Sequence, residues 1–280
     1  RLMAAQFVKP FRKNSAIKHD RQDAEAIATA ARQGNMRFIS VKTEDQQARL
    51  SWHRVREGYK KDALAVMNRI RGLLSEFGIV IGQSAIALRR ALADLEAMQL
   101  PPEFVQLVRL QQRYWEAIAA CQEACDVRIK EHAEQDERCE RIRGLTGVGP
   151  LTADAIVATL GNASDFKNGR QCAAWMGLTP SQFGTGGKVQ LGKISCRGDS
   201  YLRTLLIQGA RSSLQRAKLT PADKATAEQL WIVQLAARLP FGKVLVAIAN
   251  KHARQMWAML ARNEAYDAEA WLKHPMVQRG

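Results

Sequence analysis

The sequence predicts a mainly α-helical protein, built as a long helical arm followed by a second, mostly helical domain. Three observations carry this. Between Gln46 and Leu100, and again from Glu103 to Arg141, apolar residues recur at three- and four-residue steps, the period of an amphipathic helix. Leu64, Met67, Ile70, Leu73 and Leu74 mark the first stretch; Leu107, Leu110, Tyr114, Ile118, Cys121, Cys125 and Ile129 mark the second. Composition changes at Gly144, where glycines begin to cluster, and helical spacing returns after Asp199, in three further segments ending near Leu214, Leu239 and Arg262.

In chain order, residues from about Gln6 to Asp45 mix basic side chains with a short helical pattern (Asp23, Ala24, Ala26, Ile27, Ala30, Ala31) and read as the tail of a domain. Gly78 and Gly82, around Ile79-Val80-Ile81, interrupt the first long helix. Pro101-Pro102 opens the next, because proline is tolerated in a first turn. No breaker stands between Glu103 and Arg141, so a single helix is expected there, folded against its predecessor as a hairpin or coiled coil. The glycine-rich stretch from Pro180 to Gly198 is expected to be extended or looped. The boundaries that follow are 1–50, 51–140 for the arm and 141–280 for the C-terminal domain.

Charge limits the partners. Lys and Arg number 42 against 27 Asp and Glu, a formal +15, which favours an extended polyanion over a small acidic substrate; a basic surface with no such partner is the plain alternative. Five cysteines without short paired spacing, and no secretory leader, point to reduced thiols in a cytoplasmic protein. Cys121, Cys125 and Cys139 lack the histidines that would complete a zinc site. Apolar runs are short and broken, so no segment is expected to span a membrane. The opening Arg1-Leu2-Met3 already falls inside a structured pattern, and a longer N-terminus is expected ahead of it.

Three constellations carry candidate chemistry. Asp20 and Asp23, three residues apart at a helix start, share one face and can approach the same divalent cation. Acids in a first turn also serve as N-caps and suit the helix dipole. The run Leu145-Thr146-Gly147-Val148-Gly149-Pro150, leading into an alanine-rich helix, has the pattern of a helix-hairpin-helix, in which Gly147 and Gly149 let backbone amides approach a phosphate. An ordinary turn with a glycine C-cap gives the same letters. The third constellation runs from Pro180 to Arg203: hydroxyls at Thr185, Ser195 and Ser200 sit among glycines, with Lys188, Lys193, Arg197 and Arg203 as cations for a phosphate. No base for a hydroxyl nucleophile is evident there, so the segment reads more strongly as a phosphate-binding loop. It is not a Walker loop, since Val189 stands where Ser or Thr should follow Gly-Lys.

Taken together, Val8-Lys9-Pro10, Lys18-x-Asp20-x-x-Asp23-Ala24, Asn68-x-Ile70-Arg71-Gly72-Leu73-Leu74-x-Glu76-x-Gly78, Gly147-x-Gly149, Gly177-Leu178-Thr179-Pro180, Arg197-Gly198-Asp199 and Asn250-Lys251-x-Ala253-Arg254 follow a familiar order. Over essentially the whole chain they resemble the DEDD-type insertion-sequence transposases of the one-ten family, eleven-eleven branch. The resemblance implies that residues 1–50 are the C-terminal remnant of a RuvC-like, ribonuclease H-type α/β domain, 51–140 a coiled-coil-like arm, and 141–280 a transposase domain containing a helix-hairpin-helix. It implies a DNA transposase or recombinase that moves an insertion sequence by phosphoryl transfer. Asp20 and Asp23 match the last two acids of an Asp-Glu-Asp-Asp set that holds Mg²⁺; the first two would lie upstream of Arg1, so this chain by itself is expected to be inactive. The family's nucleophilic serine falls at Thr185, whose hydroxyl can make the same attack with an added methyl group; Ser181 and Ser195 are the alternatives. Implied partners are double-stranded DNA, an element-encoded guide RNA and further copies of the chain as a dimer or tetramer, in a bacterial cytoplasm. Two other classes stay open: a non-catalytic nucleic-acid-binding module, and a metal-dependent junction resolvase or nuclease that uses metal-bound water.

Overall fold

The computed structural model describes residues 2–3, 5–12, 19–36, 38–185 and 188–267. Lys18, Gly186 and Gly187 of the motifs above lie outside the described residues, as does the Thr185 side chain. At the N-terminal end β1 (Leu2–Met3) is followed by α1 (Ala5–Val8), a 3-10 turn at Lys9–Phe11, α2 (Asp20–Ala31) and β2 (Phe38–Ile39), which pairs antiparallel with β1. Ala26 and Ala30 form the buried face of α2.

The arm begins with α3 (Glu44–Glu76), 33 residues and about 50 Å long at ~1.5 Å per residue. A capping box starts it, the Thr43 hydroxyl accepting from the Gln46 N–H while the Gln46 side chain accepts from the Thr43 N–H. Gly78 (φ +77°) stops it, and the Ile79 N–H returns to the Leu74 carbonyl. Arg71 then folds the tip loop down, donating to the carbonyls of Gly82 (3.2 Å) and Gln83 (2.7 Å). After α4 (Ala85–Ala93) and a 3-10 turn at Leu95–Met98, α5 (Pro102–Gln135) runs back for 34 residues. Its direction is antiparallel to α3: Arg69 meets Gln111 near the tip, Arg56 meets Asp126 midway, and Arg49 meets Asp136 at the base. The hairpin expected from the spacing is therefore present.

Two details differ from the sequence reading. The buried stripe of α3 is Ala63, Val66, Ile70 and Leu74, and that of α5 is Val108, Trp115, Ile118, Cys125, Ile129 and Ala133. Leu64, Leu107, Leu110 and Tyr114 point outward, because packing in the arm covers only one narrow stripe of each helix. Nor is Glu103 to Arg141 one helix. The chain breaks at Asp136 (φ −110°, ψ 110°), whose carboxylate accepts from the Arg138 N–H and so caps a new helix, α6 (Glu137–Ile142).

The remainder packs around α7 (Pro150–Leu160), which is buried on every side from Thr152 to Ala158, as suits a helix that is apolar all round. Next come α8 (Gly169–Trp175), the antiparallel hairpin β3 (Pro180–Thr185) and β4 (Lys188–Ile194), and then α9 (Ser200–Leu219), α10 (Ala227–Arg238) and α11 (Phe241–Arg262). The stretch expected to be extended is this hairpin. The arm has its own core, centred on Ile70, Leu74, Leu88 and Leu92; a second core gathers Ile156, Met176, Leu202, Leu206, Ile248 and Met256. Among the described residues no helix is long and apolar enough to cross a membrane.

Candidate functional site

Asp20 and Asp23 occupy the first turn of α2, but neither caps it. The cap is His19, whose Nδ1 accepts from the Arg21 N–H at 3.2 Å. Asp20 is exposed; Asp23 is half-buried, its Oδ1 3.0 Å from the Arg12 Nε. The pair thus presents two carboxylates on one helical face, which fits part of the oxygen shell of a hard divalent cation. Among the described residues no group of three or more His, Cys, Asp or Glu is arranged to hold a metal ion, so Asp20 and Asp23 gain no third ligand there.

The two glycines of the turn before α7 sit in different surroundings. Gly147 (φ +87°) lies against α9: a Cβ there would overlap the Gly209 carbonyl and come 2.6 Å from the Ser213 Oγ. Ser213 donates to the Thr146 carbonyl at 2.6 Å, and Gly209 has no room for a side chain either, so this glycine is required by close backbone packing. Gly149, the N-cap of α7, is exposed with open space around it, and Pro150 follows as a first-turn residue that needs no N–H partner.

Thr185 and Lys188 are Cα partners at the closed end of the β3–β4 hairpin. Lys188, Lys193 and Arg197 are exposed. Of the alternative serines, Ser181 donates its hydroxyl to the Lys193 carbonyl at 3.0 Å, while Ser195 is held at the hairpin base through its backbone N–H, which donates to the Thr179 carbonyl. Ser200 opens α9, behind its N-cap Asp199. At the hairpin base two chain segments cross. Gly177 (φ +74°) lies against the Arg197 carbonyl and Gly198 (φ +84°) against the Trp175 carbonyl, each too close for a Cβ. Arg203 reinforces the crossing, its Nη1 donating to the carbonyls of Met176 (3.2 Å) and Arg197 (3.3 Å). Arg197 and Arg203 are thereby brought together, with Arg203 half-buried in a bracing position. Among the described residues neither Asp20 nor Asp23 has a hydrogen bond or ion pair to this hairpin or to the turn before α7.

A cleft of about 950 Å³ lies beside the crossing, between the N-terminal segment (Phe7, Phe38, Lys42) and the second core (Phe166, Trp175, Arg197). Ser40 tethers its two sides, donating its hydroxyl to Asp165. Nothing in the sequence pattern indicated this cleft, because its walls come from distant segments.

Sequence reasoning also missed a buried polar network at the base of the arm. Asp154, fully buried in α7, accepts from the Arg49 Nε at 2.8 Å and lies 2.8 Å from the His53 Nε2; the His53 Nδ1 is 2.9 Å from the Tyr201 hydroxyl. Arg49 also donates to Asp136 at 2.7 Å. An ionised carboxylate only accepts, so the imidazole proton facing it sits on Nε2. Burial pushes the Asp154 carboxyl up, but the hydrogen bonds from His53 and Arg49 outweigh it and hold it below the usual carboxylate range. Asp136 behaves likewise, burial being overridden by Arg138 and Arg49. Burial is the largest influence on Tyr201 and raises its phenol well above the ordinary value, with the charge of Arg56 opposing it. One signal was available: Asp154 is the single charged residue in a largely apolar 11-residue helix.

Comparison with known proteins finds family matches in both parts of the chain. Residues 139–227 match the family described as "Transposase IS116/IS110/IS902 family", and residues 2–79 match a transposase family of DEDD type. A Pseudomonas aeruginosa protein described as a "Probable family 20 transposase" is 42% identical over 270 residues, 95% of this chain and 78% of that protein. The transposase for insertion sequence element IS1111A of Coxiella burnetii is 37% identical, over 95% of this chain and 72% of its own length. That for element IS1328 of Yersinia enterocolitica is 34% identical, over 95% and 78%. The chain belongs to the IS116/IS110/IS902 family of insertion-sequence transposases.

Proposed function

We propose that this chain handles and rejoins DNA strands by phosphoryl transfer through a hydroxyl on the β3–β4 hairpin. The observation that supports it most directly is the pairing of Thr185 with Lys188 at the end of an exposed hairpin, with Lys193 and Arg197 exposed beyond it. In the proposed step a Thr185 Oγ–P bond forms as one bridging P–O bond of the strand breaks. The departing strand oxygen ends with the proton that the threonine gives up, so the exchange balances without a further reactant. Lys188, Lys193 and Arg197 offset charge on the phosphate oxygens. Asp20 and Asp23 would hold a divalent cation such as Mg²⁺ together with acids outside these residues, and the cation when bound supplies charge stabilisation at the phosphate.

In the same reading α6, the Gly147–Gly149 turn and α7 form a helix-hairpin-helix, with the exposed Gly149 end as its phosphate contact and Gly147 and Arg203 keeping the scaffold in shape. In this division residues 1–50 are the closing part of a ribonuclease H-like domain, 51–140 most of the arm and 141–280 the transposase domain, with the two boundaries falling inside α3 and α6. The arm holds a guide RNA that pairs with DNA, or joins protomers into a dimer or tetramer through the exposed Leu64, Leu107, Leu110 and Tyr114. A cytoplasmic bacterial setting goes with this activity.

The test is a protein–DNA adduct that survives denaturation, made by a transposase carrying this chain together with all four acids. Thr185→Ala is expected to abolish the adduct and Thr185→Ser to keep it. An undiminished adduct in Thr185→Ala would transfer the role to Ser181 or Ser195, whereas strand cleavage with no adduct in any variant would favour a nuclease using metal-bound water. The 280-residue chain by itself is expected to bind DNA without cutting it in Mg²⁺, since no third ligand joins Asp20 and Asp23 among the described residues. Robust cleavage by it would contradict this reading.

A further inference from the structure

A groove of about 500 Å³ lies between the start of α8 and one face of α11. Lys251, Arg254 and Arg262 fall at helical steps of three and eight residues and so share a stripe of α11, with Trp257 beside them. Arg170 faces them from α8. What brings the two helices together is Gly169: a Cβ there would come 2.9 Å from the Arg254 carbonyl, so the α8 backbone rests directly on α11. The Trp257 indole N–H is used internally, donating to the Phe166 carbonyl at 3.2 Å, which fixes the ring as part of the wall.

The three guanidinium groups of this groove, on Arg170, Arg254 and Arg262, have no carboxylate partner among the described residues. Lys251 is half-buried; burial, joined by the charge of Arg254, draws its ammonium below the ordinary value, and Glu228 offsets this only in part. Glu228 is itself engaged, accepting from the Tyr266 hydroxyl at 2.8 Å with His252 at 3.3 Å. Cations gathered at such a density favour an anion that spans several of them, and an aromatic wall beside guanidinium groups suits a nucleotide better than a bare ion.

We propose that the α8–α11 groove is a second phosphodiester-binding site, seating a nucleic-acid backbone on Arg170, Lys251, Arg254 and Arg262 with a sugar or base against Trp257. It shares no residue with the β3–β4 hairpin or the turn before α7, and it rests on the reading of this chain as a nucleic-acid-handling protein. A transposase needs more than one grip, because the strand being cut must stay attached to the rest of its duplex or guide.

Binding of the 280-residue chain to three labelled probes over a salt series tests this: duplex DNA, single-stranded DNA and a single-stranded RNA, read by fluorescence anisotropy. The combined Arg170→Gln, Arg254→Gln and Arg262→Gln variant is expected to weaken binding about ten- to a hundredfold on the probe that occupies the groove. It should also flatten the slope of log affinity against log salt by about 2 to 3 on duplex DNA, at ~0.9 per phosphate contact, or about 2 on a single strand, at ~0.7. The same three positions changed to lysine should keep the slope, and a single change at the exposed Arg262, Arg262→Glu, gives the same direction of effect if the triple variant folds poorly. Loss on RNA alone assigns the groove to RNA, and loss on either DNA probe assigns it to DNA. Unchanged affinity and slope on all three, with the parent chain binding normally, would overturn the groove assignment and leave the transposase reading intact. If the parent chain bound none of the probes, the underlying reading would fall as well.

Discussion

Asp154→Ala is expected to destabilise the protein by about 3–5 kcal/mol, the range for removing one partner from a buried ion pair. Asp154 has no exposed surface, and Arg49 and His53 are 6% and 1% exposed. With the carboxylate gone, Arg49 keeps Asp136, but its Nε loses its acceptor and the His53 Nε2 faces an empty space. Urea unfolding measures this as a shift in midpoint at unchanged slope. A shift corresponding to less than about 1 kcal/mol would show that the base of the arm does not depend on this pair. The acid dependence follows from the same groups. Asp154 and Asp136 both have folded-state values below the unfolded ones, so their contribution is present above about pH 4 and is lost as pH falls through the folded values. The parent chain should therefore lose stability on acidification below about pH 4 more steeply than Asp154→Ala does.

Gly198→Ala is expected to be comparably damaging, at about 3 kcal/mol or more, for a backbone reason. The residue has φ +84°, where a side chain is strained, and its Cβ would overlap the Trp175 carbonyl. Relief would have to come from separating the two crossing segments, but Gly177 holds the other side of the same crossing against Arg197, and Arg203 bridges both carbonyls. The β3–β4 hairpin would then shift relative to α8 and α9, so nucleic-acid affinity should fall together with the unfolding midpoint. Gly149→Ala is the contrasting change: it has open space and an ordinary φ of −87°, and should cost only about 0.5–1 kcal/mol as a weaker N-cap. Equal effects at the two positions would contradict the crossing as the cause.

How much of this was legible beforehand varies with the range of the interaction. Helix periods and their punctuation are local, so α3, α5, α9 and α11 were readable, as was the break at Gly78 and the start at Pro102. The glycine-rich stretch was recognisably extended for the same reason. The break at Asp136 was not: its cap on the Arg138 N–H is local, but the ion pair that also seats Asp136 comes from Arg49, which is 87 residues earlier. Which apolar residues face inward was misjudged for a related reason: Leu64 is more hydrophobic than Ala63, but position on a thin arm decides burial and Ala63 is the one inside. At the candidate site, the spacing of the glycines was legible but their neighbours were not. Gly147 is held by contact with α9, and the cations of α11 became a cluster only when Gly169 brought α8 against them.

The unbroken course of α3 has a mechanical consequence. Its first turns are locked into the second core through Arg49 and His53, while its far end carries α4 and the tip loop. From Arg49 to Glu76 the helix reaches about 40 Å, so a tilt of about 5° at the base would swing the far end by roughly 3–4 Å. Such a lever can report small rearrangements around α7 to whatever grips its distal end, and can carry a push from there back to the carboxylate that anchors it.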